Sequence, residues 1–182
     1  MITKLYRCVL LSGAAAVVAS MLAQPASADR SVEIDGTDGT GRYYLSRLNP
    51  RAFVYSDREY VFSRVPGCLF GKTYLVTPNK AKFSRGDELV RMYASRPINI
   101  YLGYDSRYQT RPDWIEQGYD RTDDEMTVSD PRSSRNILRF DLWHARFPEG
   151  DFVLGGNLAP REQSNFGMYT AVIVPVEDDN CR

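Results

Sequence analysis

The chain has 182 residues, with 23 Lys+Arg against 23 Asp+Glu and a single His. Residues 1–28 hold Lys4 and Arg7 but no acid, so the other 154 carry 21 basic and 23 acidic side chains, a net charge of −2. A near-neutral domain has no overall field to steer it onto nucleic acid. One His rules out a multi-His zinc site and argues against a His-based triad, and a chain of this size builds one domain.

The first segment reads as an address. After Lys4 and Arg7 comes a mostly apolar run over residues 9–22, then Gln24, Pro25 and the small-x-small pattern Ala26-Ser27-Ala28. That order predicts a signal peptide over 1–28 with cleavage before Asp29. The alternative, a membrane anchor, would need about 20 apolar residues. A lipid-bearing Cys would follow the apolar run, whereas Cys8 precedes it. The expected product is secreted or periplasmic, with no membrane span. It keeps two cysteines, Cys68 and Cys181, whose even number in an oxidising compartment predicts a disulfide; two free thiols are the alternative.

Residues 29–42 include Asp35-Gly36-Thr37-Asp38-Gly39-Thr40-Gly41 and read as a glycine-rich flexible leader. Asp35 and Asp38 are weak calcium candidates on their oxygen ligands alone, without the ligand ladder of an EF-hand. No other metal and no cofactor is expected. Residues 43–182 then form one domain of short, aromatic and β-branched runs. The clearest strand is 98–102, where Ile98, Ile100 and Leu102 alternate. In 137–147, Leu138, Phe140, Leu142 and His144 share one side, opposite Ile137, Arg139, Asp141 and Trp143, so His144 reads as a core residue. Residues 168–174 look buried on both faces. Weaker strands are 52–55, 60–64, 73–76, 88–93 and 152–154. Pro66-Gly67, Pro78-Asn79, Gly86-Asp87, Glu149-Gly150 and Gly155-Gly156-Asn157 mark turns between them. Residues 111–118 can make a short helical turn, and the charged stretch 119–136 reads as a loop. This spacing predicts an all-β antiparallel sandwich.

No catalytic residue is assigned. Asp105, Asp113, Glu116, Asp123, Asp124 and Asp141 are carboxylates that nothing in the sequence pairs across a cleft. No Gly-x-Ser-x-Gly elbow, phosphate loop or Cys-x-x-Cys is present. Sugar sites combine flat aromatic rings with fork-shaped polar groups, and residues 101–121 supply both. Tyr104, Asp105, Arg107, Trp114 and Arg121 are therefore the candidate carbohydrate contacts, with Trp114 as a roof of the hydrophobic core the alternative.

In the same region the sequence resembles β-sandwich accessory modules of secreted bacterial polysaccharide lyases and glycosidases. The matching motifs run in order over about residues 52–176. They are Thr73-Tyr74-Leu75-Val76-Thr77, then Asn99 to Arg107 with its Tyr104-Asp105-x-Arg107 end, then Pro112-Asp113-Trp114-Ile115. Gly118 to Thr122, Phe147-Pro148-Glu149-Gly150, Val153-Leu154-Gly155-Gly156-Asn157 and Met168-Tyr169 follow. The insert 120–135 is longer and more charged than in the family. The resemblance implies a galactose-binding-like jelly roll with a non-catalytic, carbohydrate-related role. The expected partner is a polysaccharide, and 18 Arg against 3 Lys after residue 28 favour an acidic one through bidentate carboxylate binding. A secreted structural or protein-interaction sandwich, or a small polysaccharide-active enzyme, are the alternatives.

Overall fold

Ten strands carry the fold of the computed structural model, which describes residues 32–37 and 42–181, leaving aside the side chains of 134–136. The expected signal peptide, its cleavage site and Asp38 lie outside the described residues. The strands are β1 (Val32–Thr37), β2 (Tyr44–Arg47), β3 (Val61–Arg64), β4 (Thr73–Val76) and β5 (Val90–Ala94). Then come β6 (Ile98–Asp105), helix α1 (Asp113–Gly118), β7 (Asp120–Asp130), β8 (Ser133–Phe147), β9 (Gly150–Leu154) and β10 (Thr170–Pro175). One sheet has the order β1-β5-β9, the other β2-β4-β10-β6-β8-β7-β3. Neighbouring strands pair antiparallel throughout. This is the all-β sandwich the strand spacing predicted.

The large sheet curls into a half-barrel. Phe62 on its edge strand β3 meets Tyr74 on β4, near the other edge, with ring centroids 5.4 Å apart and the planes almost perpendicular. All eight residues of β6 and all six of β10 are buried, because one face of these central strands lines the curl and the other meets the small sheet. The small sheet shows the opposite pattern. On β5, Val90, Met92 and Ala94 point inward and Arg91 and Tyr93 outward, the alternation of a sheet wetted on one side.

Cys68 and Cys181 are bridged, with 5.3 Å between their Cα atoms. Cys68 lies in a 3-10 turn, Gly67–Leu69, so the bridge ties the C-terminal segment to the β3–β4 connection. Closing a loop of 113 residues removes chain entropy worth about 4–5 kcal/mol. Among the described residues no helix is long and apolar enough to cross a membrane.

Four expectations need correction. The leader is not free of structure at Val32–Thr37, which pairs with β5 through a register shift between Ile34 and Gly36. The stretch 119–136 is no loop: it forms β7 and the start of β8, closed at Asp130 and Arg132, whose backbone N–H donates to the Asp130 carboxylate at 2.9 Å. Residues 52–55 form only isolated bridges at Phe53 and Tyr55. Finally, His144 is half-exposed while Trp143 is buried. Strand β8 is covered on both faces where Arg111 stacks over Trp143, 4.8 Å from its ring centre, and the curl opens at His144.

Candidate functional site

The tetrad Tyr104-Asp105-x-Arg107 sits where β6 ends. Alternation along the strand sends Tyr104 toward the small sheet and Asp105 into the curl. Tyr104 is buried and its hydroxyl donates to the Asn157 carbonyl at 2.6 Å; burial pushes its pKa far up. Asp105 is fully buried. Its Oδ1 accepts from Arg107 N (3.2 Å) and Nε (2.9 Å), and its Oδ2 from Arg107 Nη2 (2.6 Å) and Gly167 N (2.9 Å). Neither side chain can meet a ligand, which corrects the expectation for both: the sheet has swallowed them.

Arg107 stays accessible, its side chain 43% exposed. Asp105 grips one edge of the guanidinium and Phe166 lies 4.6 Å beneath its plane. Nε and Nη2 are thereby spoken for, the orientation of the group is fixed, and Nη1 is not used by Asp105. It borders a cleft of about 290 Å³ lined by Tyr55, Tyr60, Asn79, Lys82, Leu138, Asn165 and Phe166. Burial, then the cations Arg58 and Arg107, hold the Lys82 ammonium pKa below its ordinary value. The Asp105 charge is consumed by Arg107, and Asp57 by the N–H groups of Asn79 (2.7 Å) and Lys80 (3.1 Å). The cleft therefore presents uncompensated positive charge beside tyrosine and amide groups, an arrangement suited to a carboxylate on a hydroxyl-rich ligand.

Lys82, Asn165, Tyr60 and Phe166 carry no motif in the sequence. Three separate connections bring them together, and Asn157 is the clamp that joins two of these. Fully buried, it donates from Nδ2 to the Lys82 carbonyl (3.1 Å), the Tyr108 hydroxyl (3.1 Å) and the Gly167 carbonyl (3.3 Å). Its Oδ1 accepts from Tyr169 N at 3.0 Å. The Gly155-Gly156-Asn157 motif is thus a structural joint beneath the cleft.

The remaining candidates lie elsewhere. Trp114 packs on α1 against Tyr119 and Tyr169, and its Nε1 donates to the Gly156 carbonyl at 2.9 Å; it roofs the core. Arg121 is on β7, 59% exposed and paired with Asp141 at 3.1 Å, apart from Arg107. Asp35 is exposed on β1, and no described residues form a metal-binding group of three or more His, Cys, Asp or Glu.

A second cleft, about 570 Å³, opens at the opposite end of the curl. Asn99 and Asp105 mark the two ends on one face of β6, six residues or roughly 20 Å apart. Tyr101, His144 and Asp120 form a row across β6, β8 and β7, the first two rings 5.0 Å apart. Asp123, Asp124 and Asp179 complete a strongly acidic lining.

No family model matches the chain. It is 25% identical over 121 residues to a β-glucuronidase of Formosa agariphila, a match covering 66% of this chain and 12% of that protein. Among solved structures it is similar to a β-glucuronidase from glycoside hydrolase family 2, at TM-score 0.68 and 22% identity over 78% of this chain and 14% of the other. A GH138 enzyme targeting pectin rhamnogalacturonan II matches at TM-score 0.53 and 14% identity over 79% of this chain and 16% of the other. The chain spans about an eighth of the length of the glucuronidases it matches. Its fold is that of a β-sandwich segment within a glycosidase, as its resemblance to glycosidase accessory modules implied.

Proposed function

We propose that this chain is an exported, non-catalytic carbohydrate-binding module that holds the carboxylate of an acidic glycan in the Arg107 cleft. The observation that carries the reading is the fixed guanidinium of Arg107, held by Asp105 and Phe166 beside Lys82, which forms no ion pair among the described residues. A pre-oriented fork costs little ordering entropy on binding. The likeness to β-glucuronidases favours a uronate as the acid. The disulfide favours an oxidising compartment, and hence export.

Affinity electrophoresis through gels containing glucuronate polymers, galacturonate polymers or neutral glucans tests this. Retardation by a uronate polymer, weakened by Lys82→Gln or Asn165→Ala and by added salt, is expected. Equal mobility of wild type and variants in every gel would remove the reading. Release of unsaturated or reducing ends from the same polymers would move the chain to the enzyme class.

A further inference from the structure

The acidic cleft invites the opposite chemistry. We propose that it binds a small organic cation carrying a protonated primary amine, whether an amino sugar or an aliphatic amine. The inference is independent of the uronate reading, which concerns the other end of the curl.

Three features build the site. First, the pairing of β7 with β8 skips: Arg121 opposes Trp143, yet the next paired residue, Glu125, opposes Asp141. Thr122, Asp123 and Asp124 therefore stand against Leu142 alone, and the Thr122 hydroxyl donates to the Leu142 carbonyl at 3.0 Å while Asp124 N donates to that hydroxyl at 3.2 Å. Such a bulge re-aims side chains, and Asp123 and Asp124 line the cleft as a result. Neither these two nor Asp120 has a cationic partner among the described residues.

Second, Asp179 of the C-terminal segment is held in place from within. Its Oδ2 accepts from Asn99 Nδ2 at 2.5 Å and from the Tyr101 hydroxyl at 2.8 Å, and its Oδ1 from Cys181 N at 2.9 Å.

Third, Asn99 is 9% exposed, lines the cleft, and its Oδ1 has no hydrogen-bond partner among the described residues. Flipping the amide would set that oxygen against the Asp179 carboxylate, so no rearrangement of these two groups alone satisfies both. A buried acceptor left without a donor is destabilising, because its lost hydration is not replaced. A cationic donor reaching Asn99 from the cleft would supply the bond its Oδ1 lacks, beside the carboxylate of Asp179.

The ligand is organic because the carboxylates are spread around a cleft of small-molecule size, and no described set of them converges on an ion. The Tyr101–His144 pair offers an apolar wall for its C–H groups.

Calorimetry and amide-resolved NMR of the wild-type chain with glucosamine, putrescine, N-acetylglucosamine and Ca²⁺ form the test. Glucosamine or putrescine is expected to shift the amides of Asn99, Thr122–Asp124 and Cys181. The stronger of the two identifies the source of the amine. Asp123→Asn/Asp124→Asn, at exposed positions, should weaken that binding about tenfold or more, or 1.4 kcal/mol, with the thermal midpoint unchanged. The proposal is overturned if neither amine shifts these amides at ~10 mM, if N-acetylglucosamine binds as well as glucosamine, or if Ca²⁺ alone saturates the site. Loss of uronate retention at the Arg107 cleft would leave every one of these outcomes as it stands.

Discussion

The indole of Trp114 lies so close to Gly155 that a Cβ on the glycine would stand 2.5 Å from both its Cδ1 and Nε1. Glycine is required there by the approach of a ring, since its φ lies outside the left-handed region. Together with the Nε1 hydrogen bond to Gly156 and the edges of Tyr119 and Tyr169, this locks α1 onto the end of β9. Gly155→Ala should cost about 1–3 kcal/mol through overpacking, and Trp114→Ala about 3 kcal/mol, at the low end for a large aromatic because the ring is only partly buried. Urea unfolding measures both. Loss of uronate retention without loss of stability in Trp114→Ala would restore the indole as a sugar platform.

The pair Asp105–Arg107 should respond unequally to removal of its two ends. Asp105→Asn frees a guanidinium that is already 43% exposed and can turn to water, leaving the Gly167 N–H short of its charged acceptor; about 1–3 kcal/mol is expected. Arg107→Met leaves a fully buried carboxylate served only by two backbone N–H groups, which should cost about 3–5 kcal/mol. Chemical denaturation of the two variants settles the order. If Asp105→Asn is the worse, Asp105 is held mainly by the backbone and the fork is not its counter-ion.

Sequence periodicity recovers the strands that are apolar, and misses those whose partner is water. Strands β3, β4, β5, β6, β8, β9 and β10 are legible because apolar and aromatic residues fill at least one face of each. Strand β7 opens with Asp120-Arg121-Thr122-Asp123-Asp124 and only Met126 and Val128 turn inward and are buried; a polar face of that kind imitates a loop. Strand β1 hides behind Gly36 and its irregular register. Alternation also failed locally on β8, since a strand covered on both faces gives burial no phase, and the end that is open belongs to His144. As for the site, Arg107 was legible through its motif neighbours, but Tyr104, Asp105 and Trp114 share that motif for reasons of folding. Lys82, Asn165 and the Asn99–Asp179 contact are products of long-range topology, and no spacing in the chain announces them.

The disulfide does more than close a long loop. Cys181 lies two residues from Asp179, whose carboxylate caps Tyr101 and Asn99, so the bridge holds one wall of the acidic cleft. A Cys68→Ser/Cys181→Ser variant should lose about 4–5 kcal/mol of stability by chain-entropy reckoning. It should also bind amines more weakly at temperatures where it remains folded. Guanidinium unfolding and the amine titration separate the global effect from the local one; unchanged amine binding in the folded variant would mean that the hydrogen bonds suffice to seat Asp179.

Acid should loosen the connection that carries Asn165 and Phe166 before it unfolds the sandwich. The Glu162 carboxylate is held at about 2, well below its ordinary 4.5, by the Ser164 hydroxyl and amide and by the Thr110 hydroxyl. The Thr110 hydroxyl donates to Oε2 at 2.8 Å, and the Gln163 and Ser164 N–H groups donate to Oε1 at 2.9 and 2.8 Å. Because the folded value lies below the unfolded one, the contribution is complete above pH 4.5 and is lost as the pH falls from there through 2. The group is exposed, so the effect is local order rather than global stability. The amide shifts of Gln163 and Ser164 should titrate together with a midpoint near 2, and uronate retention should hold down to about pH 4 and then fall as the glycan itself protonates. A midpoint near 4.5 would mean that the carboxylate is not cradled in solution, and that the Asn165 side of the cleft is not pre-formed.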